Sequence, residues 1–441
     1  MTTPVLRRLT IDASLTFARQ FFGGLCQLGS VLLVGRLLGP EGTGVYSIAL
    51  LLPMLLTLLL GFGINASNVY LVASRQFTLS HAWNASRNLS FFQIPIGFLI
   101  GFAIIIFYGE ELFPGVDQKL LFLAMLIFPS GLITAIFLSL VQAAEDFRDY
   151  NIIVLVQPVS ALLLLVVLWI VSGFTLQSAI SVIALSYLIG VVVGYILLRK
   201  RIDVEKVGRT STYLRPAIRY GIKAQLSNIV GFLNYRLDIF IVNLIVGPAA
   251  TGLYSIAVRL VEQLWLVSSA VSTVLLPRLS SMVGDDKGRG ALTAIVSRAT
   301  LYVTLAASGI LAALSTPLIG FLFGPDFSDA SIALLVLLPG VVLVSSGRVI
   351  ANDLAARGRV GVNFTLAIVT LVLNTAGNLV LIPLFGIAGA AIATTIAYFS
   401  DFLIRLIIMN RISKIPWWQF IVSYHMDFGH AKMLFRKGKS N

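Results

Sequence analysis

Long apolar runs recur along the whole chain, and no other feature limits its fold as strongly. A run of about 20 apolar residues is long enough for a helix to cross the hydrocarbon core of a bilayer. We place twelve such runs near residues 12–38, 42–73, 86–108, 118–144, 150–172, 178–199, 217–246, 252–282, 292–323, 329–356, 362–384 and 386–410. With 58% apolar and 12% charged residues, the chain has too little polar surface for a soluble globule. This pattern predicts an all-α integral membrane protein.

The basic residues indicate how the predicted helices are oriented. Most of the 32 Lys and Arg residues lie in the two termini and in alternate loops, and the intervening loops are acidic. The acidic residues of those loops are Glu41, Glu110, Glu111, Asp117, Asp326 and Asp329. Because basic loops stay in the cytoplasm, both termini are predicted to be cytoplasmic. The net charge of +13 then follows from topology, and nucleic acid is not a predicted partner.

An internal repeat divides the chain into two halves. The segment GPEGTGVYSIAL, at 39–50, matches GPAATGLYSIAV, at 247–258, in eight of twelve positions. Six is an even number of crossings, so two six-helix halves enter the membrane in the same direction. We predict twelve transmembrane helices in two parallel six-helix repeats around a central cavity, which works by alternating access. The predicted domains are an N-terminal lobe, a C-terminal lobe and a basic cytoplasmic or interfacial tail, at 1–205, 206–411 and 412–441.

Four segments of the chain carry a family resemblance. They are RLLGPEGTGVYSIA after the first predicted span, LNYRLDIFIVNLIVG in the seventh, VGPAATGLYSIAVRL after it, and VLLPRLS at the end of the eighth. In these segments the chain resembles the polysaccharide-transporter branch of the MATE-like (MOP) exporter superfamily. The most similar type is the Wzx flippase of O-antigen and exopolysaccharide synthesis.

The resemblance implies a function and a location. The implied function is to flip an undecaprenyl-diphosphate-linked oligosaccharide, the repeat unit of O-antigen, capsule or exopolysaccharide, across the bacterial cytoplasmic (inner) membrane. The implied partners are that lipid-linked substrate and the membrane lipids, and the resemblance leaves a polysaccharide polymerase and glycosyltransferases open as further partners. Lipid II flippases of the superfamily have two additional helices that this chain lacks.

Arginines inside the predicted spans are the candidates for binding a diphosphate. Arginine stays charged in hydrocarbon, and its planar fork matches phosphate oxygens. The candidates for substrate binding, in order of preference, are Arg236, Arg348, Arg259 and Arg19. Local pairing is the alternative for two of them: Arg259 with Glu262 three residues on, and Arg348 with Asn352 or Asp353. For a fifth arginine, Arg405, we expect snorkelling to the cytoplasmic interface, with pairing to Asp401 as the alternative.

Polar and acidic residues within the spans suggest further roles. If an ion gradient drives transport, Asp238, Glu262 and Asp353 are the candidates for ion coupling. Two amide-rich groups could bind sugar hydroxyls or could equally join neighbouring helices. These groups are Asn65, Ser67 and Asn68, and Gln225, Asn228 and Asn234.

The sequence indicates neither a cofactor nor a catalytic centre. Its one cysteine and three histidines do not have the spacing of a zinc or haem site. The predicted outward loops are too short for an extramembrane catalytic domain, so we do not expect an enzyme. Two alternatives to the flippase remain: a MATE-like multidrug or metabolite antiporter, and a membrane-embedded glycan polymerase or glycosyltransferase. The intramembrane arginines favour an anionic substrate over the cationic drugs of the antiporter.

Overall fold

A computed structural model describes residues 3–171, 173–202 and 210–422, with side chains described from residue 18 onward except those of 210 and 211. Every regular element in these ranges is helical. The α-helices are α1 (Thr3–Leu60), α2 (Ile64–Ala73), α3 (Leu79–Leu112), α4 (Gln118–Ala124), α5 (Ile127–Ala143), α6 (Phe147–Val171), α7 (Leu176–Leu198), α8 (Thr210–Ile245), α9 (Pro248–Glu262), α10 (Trp265–Ser281), α11 (Asp286–Phe323), α12 (Ala330–Ala356) and α13 (Val360–Ser413). Short 3-10 helices follow at Pro325–Phe327 and Trp417–Phe420. The all-α prediction is confirmed.

Ten helical stretches among the described residues are long and apolar enough to cross a membrane. The sequence predicts twelve spans, and two of the ten stretches contain a break at a glycine with positive φ. In α1 the break is at Gly39, with φ 68° and ψ −175°, and in α13 it is at Gly386, with φ 57° and ψ −134°. Glycine adopts a positive φ without steric cost, which suits it to a sharp turn between helices. Gly39 lies in the predicted loop at 39–41, and Gly386 is the first residue of the predicted span 386–410.

Helix α13 folds back on itself at Gly386. The Nη1 atom of Arg405 donates to Oδ1 of Asn363 at 2.6 Å, and Oγ1 of Thr394 donates to Oδ1 of Asn374 at 3.3 Å. In a straight helix rising 1.5 Å per residue, Asn363 and Arg405 would be about 60 Å apart. The two halves of α13 therefore form an antiparallel helical hairpin.

The chain divides into two compact units, residues 1–253 and 254–441. The division falls within α9. The predicted lobes at 1–205 and 206–411 stay a prediction. Residues 203–209, where the two predicted lobes join, and residues 423–441 of the predicted tail lie outside the described residues. The described part of that tail contains the 3-10 helix Trp417–Phe420, whose Phe420 is fully buried in a cluster with residues of α11, α12 and α13.

The two copies of the repeated segment meet within the first unit. A Cβ atom added to Gly44 would lie 1.8 Å from the carbonyl oxygen of Pro248, and one added to Gly252 would lie 1.9 Å from that of Pro40. Gly44 and Gly252 occupy equivalent positions of the repeat, as do Pro40 and Pro248. The contact is thus reciprocal, and any side chain at either glycine would push the two backbones apart.

Replacing Gly44 by alanine tests this contact. We expect Gly44→Ala to destabilise the protein by about 1–3 kcal/mol, because the methyl group must displace backbone rather than a flexible side chain. Gly309→Ala is the matched control, since a Cβ at Gly309 in α11 meets nothing within 4 Å. Thermal unfolding in detergent can be followed with a thiol-reactive dye, because Cys26 is buried and is the one cysteine of the sequence. Equal melting temperatures for the two variants would contradict the proposed contact.

Arg405 is buried within the hairpin of α13. Its side chain is only 10% exposed, and its Nε donates to Oδ2 of Asp401 at 2.7 Å. The expectation that Arg405 snorkels to the interface is wrong, because two acceptors, Asp401 and Asn363, hold its guanidinium inside the protein. The alternative, pairing with Asp401, is confirmed.

Removing one partner of this buried pair is expected to lower the free energy of unfolding more than replacing both partners by apolar groups. Asp401→Asn leaves a buried guanidinium without its counter-charge, which costs about 3–5 kcal/mol. The double variant Asp401→Leu/Arg405→Met replaces the pair with apolar groups and is expected to melt at a higher temperature than Asp401→Asn. Melting temperatures measured with the same dye check the order. A double variant that is less stable than the single one would contradict it.

Candidate functional site

The first unit contains a cavity of about 340 Å³ with mixed polar and apolar walls. It is lined by residues of α1, α2, α5, α7 and α8 together with the turn that joins α1 to α2. The polar side chains in its wall include Asn65, Gln225 and Asn228. These three belong to the two amide-rich groups that the sequence singles out, so the fold brings members of both groups to one place.

The cavity lies at the break between α1 and α2. Helix α1 ends at Leu60, and Phe62 and Gly63 have positive φ values of 46° and 68° before α2 begins. A Cβ atom added to Gly63 would lie 2.0 Å from the carbonyl oxygen of Gly221, so α8 packs directly on this turn. Only glycine allows both the left-handed conformation and this close approach.

Two glutamines accommodate the break. Ending a helix leaves carbonyl groups without an intrahelical partner, and in hydrocarbon other groups must satisfy them. Gln225 of α8 donates to the carbonyl of Leu58, and Gln93 of α3 donates to that of Leu60 at 2.5 Å. Gln225 therefore holds the turn in place in addition to lining the cavity.

One face of α8 forms the wall of the cavity. Gln225, Asn228 and Phe232 all line it, at spacings of three and four residues. Arg236 is the next residue in this series, one turn beyond Phe232 and within about 20° of the direction of Gln225 around the helix. Arg236 thus continues the cavity-lining face of α8. Its Nη1 donates to the carbonyl of Tyr235 at 2.8 Å.

The amide of Asn65 has unused hydrogen-bonding capacity in the cavity wall. Its Oδ1 is buried and has no hydrogen-bond partner among the described residues. A buried acceptor without a partner costs free energy, so a ligand or water that donates to it is favoured. Asn228 is exposed within the same wall. Together these amides supply donors and acceptors of the kind that bind hydroxyl groups.

The neighbouring Ser67 and Asn68 serve interhelical packing instead. Nδ2 of Asn68 donates to the hydroxyls of Ser86 and Ser139 at 3.1 and 2.9 Å, and the hydroxyl of Tyr213 donates to its Oδ1 at 2.7 Å. Ser67 donates to a backbone carbonyl of α8 at 2.5 Å. This buried network joins α2, α3, α5 and α8, so for these residues the helix-joining alternative is confirmed.

The remaining candidates of the first unit lie apart from this face. Asp238 points to the other side of α8, is 4% exposed, and accepts from the backbone N–H of Ile239 at 2.8 Å. The guanidinium of Arg19 in α1 lies over the ring of Tyr150 in α6, 5.5 Å from its centroid. Its Nε is buried and finds no hydrogen-bond partner within the described ranges.

In the second unit Arg348 stacks on an indole. Its guanidinium carbon is 4.2 Å from the ring centroid of Trp265, a cation–π distance. The two residues suggested as local partners are engaged elsewhere: Asn352 donates to Ser272 at 2.7 Å, and Asp353 accepts from Arg357. Sequence reasoning missed Trp265, because nothing in its spacing connects it to a residue 83 positions away.

The two remaining carboxylate candidates differ in how tightly they are held. Asp353 is fully buried and accepts from Nε of Arg357 at 2.8 Å and from its Nη2 at 3.3 Å. Glu262 is 4.0 Å from Nη1 of Arg259, which is the outer limit for an ion pair. In the part of the chain that the structure describes, no group of three or more His, Cys, Asp or Glu residues could hold a metal ion.

The chain is similar in sequence to proteins of polysaccharide and glycan biosynthesis. The profile of a family described as polysaccharide biosynthesis protein matches residues 33–332. The probable low-salt glycan biosynthesis flippase Agl15 of Haloferax volcanii is 28% identical over 236 residues, which are 52% of this chain and 50% of that protein. The capsular polysaccharide biosynthesis protein CapF of Staphylococcus aureus is 24% identical over 180 residues, 40% of this chain and 46% of that protein. The chain spans about half the length of these curated relatives.

Solved structures share the fold over nearly the whole chain. The lipid II flippase MurJ, in an inward closed conformation, matches with a TM-score of 0.76 and 18% identity over 97% of this chain and 93% of its own. An inward-facing multidrug resistance transporter of the MATE family matches with a TM-score of 0.69 and 16% identity, over 89% of this chain and 96% of its own. At these identities the likeness shows the fold alone.

A double-mutant cycle tests the contact between Arg348 and Trp265. We expect Arg348→Met and Trp265→Leu each to lower the free energy of unfolding. The double variant should lose about 1 kcal/mol less than the sum of the two single losses, because that is the coupling energy of a partly desolvated cation–π pair. Unfolding of the four proteins in the same detergent gives the coupling energy. Strictly additive effects would show that the stacked geometry contributes nothing.

Proposed function

The chain belongs to the polysaccharide biosynthesis protein family of transporters, and from this premise we propose that it flips a lipid-linked oligosaccharide across the cytoplasmic membrane. The proposed substrate is an undecaprenyl-diphosphate-linked repeat unit of O-antigen, capsule or exopolysaccharide. Membrane lipids and this substrate are the proposed partners. The names of the relatives, a probable glycan biosynthesis flippase and a capsular polysaccharide protein, support this class of cargo.

The observation that carries the proposal is the amide-lined cavity of the first unit. Helices apolar enough to cross a membrane enclose about 340 Å³ whose wall presents Asn65, Gln225 and Asn228. Polar groups are costly at membrane depth unless they have partners or face a cavity, so their presence marks a path for a polar cargo. Amides pair with sugar hydroxyls, and Tyr187 and Phe232 add aromatic surface to the same wall.

The diphosphate of the substrate requires cationic groups near this path. Arg236 is the best-supported of the four candidates, because it continues the face of α8 on which Gln225, Asn228 and Phe232 line the cavity. Arg348, Arg259 and Arg19 remain proposed contacts. The stacking of Arg348 on Trp265 and of Arg19 on Tyr150 orients each guanidinium.

For energy coupling we propose Asp238 ahead of Glu262 and Asp353. Asp238 is buried on the same helix as Arg236, where a change in its protonation or ion binding would act directly on α8. Glu262 has a weakly held partner in Arg259. The two hydrogen bonds from Arg357 to Asp353 support a structural role for that carboxylate.

We further propose twelve crossings in two parallel repeats, with both termini in the cytoplasm and transport by alternating access. The breaks at Gly39 and Gly386 support a count of two crossings each for α1 and α13. The reciprocal contact of Gly44 with Pro248 and of Gly252 with Pro40 supports two related halves, because such an exchange is what a two-fold axis produces.

Transport by Arg236 variants tests the proposal. We expect Arg236→Ala to lower translocation of the lipid-linked oligosaccharide at least about tenfold, the effect of losing one charge-assisted contact to phosphate, and Arg236→Lys to retain part of it. The measurement is leaflet translocation in proteoliposomes, with undecaprenyl-diphosphate-linked oligosaccharide extracted from the host. Arg219→Ala is the matched control, because it removes the same charge from α8 at an exposed position off the cavity face.

The outcome separates the proposal from its alternatives. The function and the site are both supported if the native protein and Arg219→Ala translocate the lipid-linked sugar and Arg236→Ala does not. The melting temperature of Arg236→Ala must be unchanged in that case. Translocation that Arg236→Ala leaves intact contradicts the site. Transport of cationic dyes without any translocation of the lipid-linked sugar would contradict the function and favour the antiporter.

A further inference from the structure

A second pocket, of about 500 Å³, lies in the second unit and is lined mainly by arginines. Its charged residues are Arg289, Arg357, Arg359, Arg411 and Asp286. They come from the first turn of α11, the turn between α12 and α13, and the last turn of α13. The hairpin of α13 explains why residues so far apart in sequence meet. By the positive-inside rule, this end of the unit is the cytoplasmic one.

The pocket has more arginines than carboxylates to neutralise them. Among the residues that the structure describes, Arg357 is the pocket arginine with carboxylate partners, since its Nη1 donates to Oδ1 of Asp286 at 2.6 Å and its Nε donates to Asp353. Even with Asp353 included, four guanidinium groups face two carboxylates, which leaves an excess positive charge of two. Arg359 and Arg411 are exposed.

The turn between α5 and α6 of the first unit has the opposite balance. Nη2 of Arg201 donates to Asp146 at 2.5 Å and to Asp149 at 2.6 Å, so two carboxylates share one guanidinium. The backbone N–H of Asp149 and the charge of Arg201 hold the pKa of Asp146 below its usual value.

Arg289 lines the pocket with a deeply buried side chain. Its side chain belongs to a residue only 5% exposed, and Nη2 donates to the carbonyl of Met282 at 2.8 Å. Its Nε is buried without a hydrogen-bond partner in the described chain. A charged donor left unpaired in a buried position is costly, whereas an anion in the pocket would satisfy it.

The start of α13 adds to the attraction for anions. Arg359 precedes the helix, and its side chain makes no capping hydrogen bond within the described residues. The first N–H groups of a helix carry a partial positive charge and bind phosphate well. Together with the guanidinium groups, they form an arrangement suited to a tetrahedral oxyanion.

We propose that this pocket binds a phosphate group, taken from an anionic lipid headgroup or from a soluble phosphate. The site is separate from the cavity of the first unit and does not depend on which cargo the protein moves. Position favours the lipid as the source. Trp417 and Trp418 follow Arg411 closely, are both exposed, and belong to the residue type that gathers at the membrane–water interface. Basic pockets at the cytoplasmic ends of membrane helices bind lipid headgroups.

The test compares lipid and phosphate binding by two double variants. Arg359→Gln/Arg411→Gln removes the exposed charges of the pocket and leaves the buried Arg289 and Arg357 in place. Arg215→Gln/Arg219→Gln is the matched control, because it removes two exposed arginines from α8. Native mass spectrometry of the detergent-purified full chain measures retention of dioleoyl-phosphatidylglycerol against dioleoyl-phosphatidylcholine. In a second arm, the melting temperature is measured with inorganic phosphate or chloride at equal ionic strength.

We expect the native protein and the control variant to bind phosphatidylglycerol about tenfold more tightly than the pocket variant does, with phosphatidylcholine bound equally weakly by all three. This result identifies a lipid headgroup as the source. A rise in melting temperature with phosphate, in the native protein and the control but not in the pocket variant, identifies soluble phosphate. If the pocket variant responds to both probes as the native protein does, the proposal is overturned. Arg359→Gln/Arg411→Lys is the second variant, and it should recover much of the binding that the pocket variant loses if charge in the pocket is what matters.

Discussion

In hydrocarbon no water can take up a backbone carbonyl that a broken helix leaves without a partner, and this constraint governs where the chain can depart from regular helix. The break after Leu60 is possible because Gln93 and Gln225 reach in from α3 and α8 to satisfy the freed carbonyls. The same turn lets α8 approach so closely that glycine is required at Gly63. The cavity with amides in its wall lies at this break, so Gln225 both stabilises the irregular turn and lines the cavity.

The buried charged side chains are likewise held by contacts with specific neighbours. Arg405 has its counter-charge in Asp401 and holds the two halves of α13 together, and Asp353 is matched by Arg357. Arg348 and Arg19 lie over aromatic rings, which orient each guanidinium. Arginines of identical chemistry thus serve packing in some places and present charge in others, and the difference is set by what lies opposite each side chain.

Sequence reasoning predicted the candidate site in part. The amides Asn65, Gln225 and Asn228 stand out in apolar spans, and the fold brings them into one wall. The neighbouring Ser67 and Asn68 stand out in the same way, yet they belong to a network that joins helices. Trp265 opposite Arg348 and the four-arginine pocket could not be predicted, because both depend on contacts between residues distant in sequence.

The sequence by itself determined the all-helical fold, its suitability for a membrane, and the positions of the turns at Gly39 and Gly386, since these depend on local properties: hydropathy over some twenty residues, and the freedom of glycine to adopt a positive φ. The tertiary structure decided which face of each helix meets which neighbour. Only there does Arg405 become buried instead of reaching the interface, and only there do the ends of α11, α12 and α13 gather their arginines around one pocket. Contacts between helices depend on how the helices pack, and the periodicity of the sequence does not predict them.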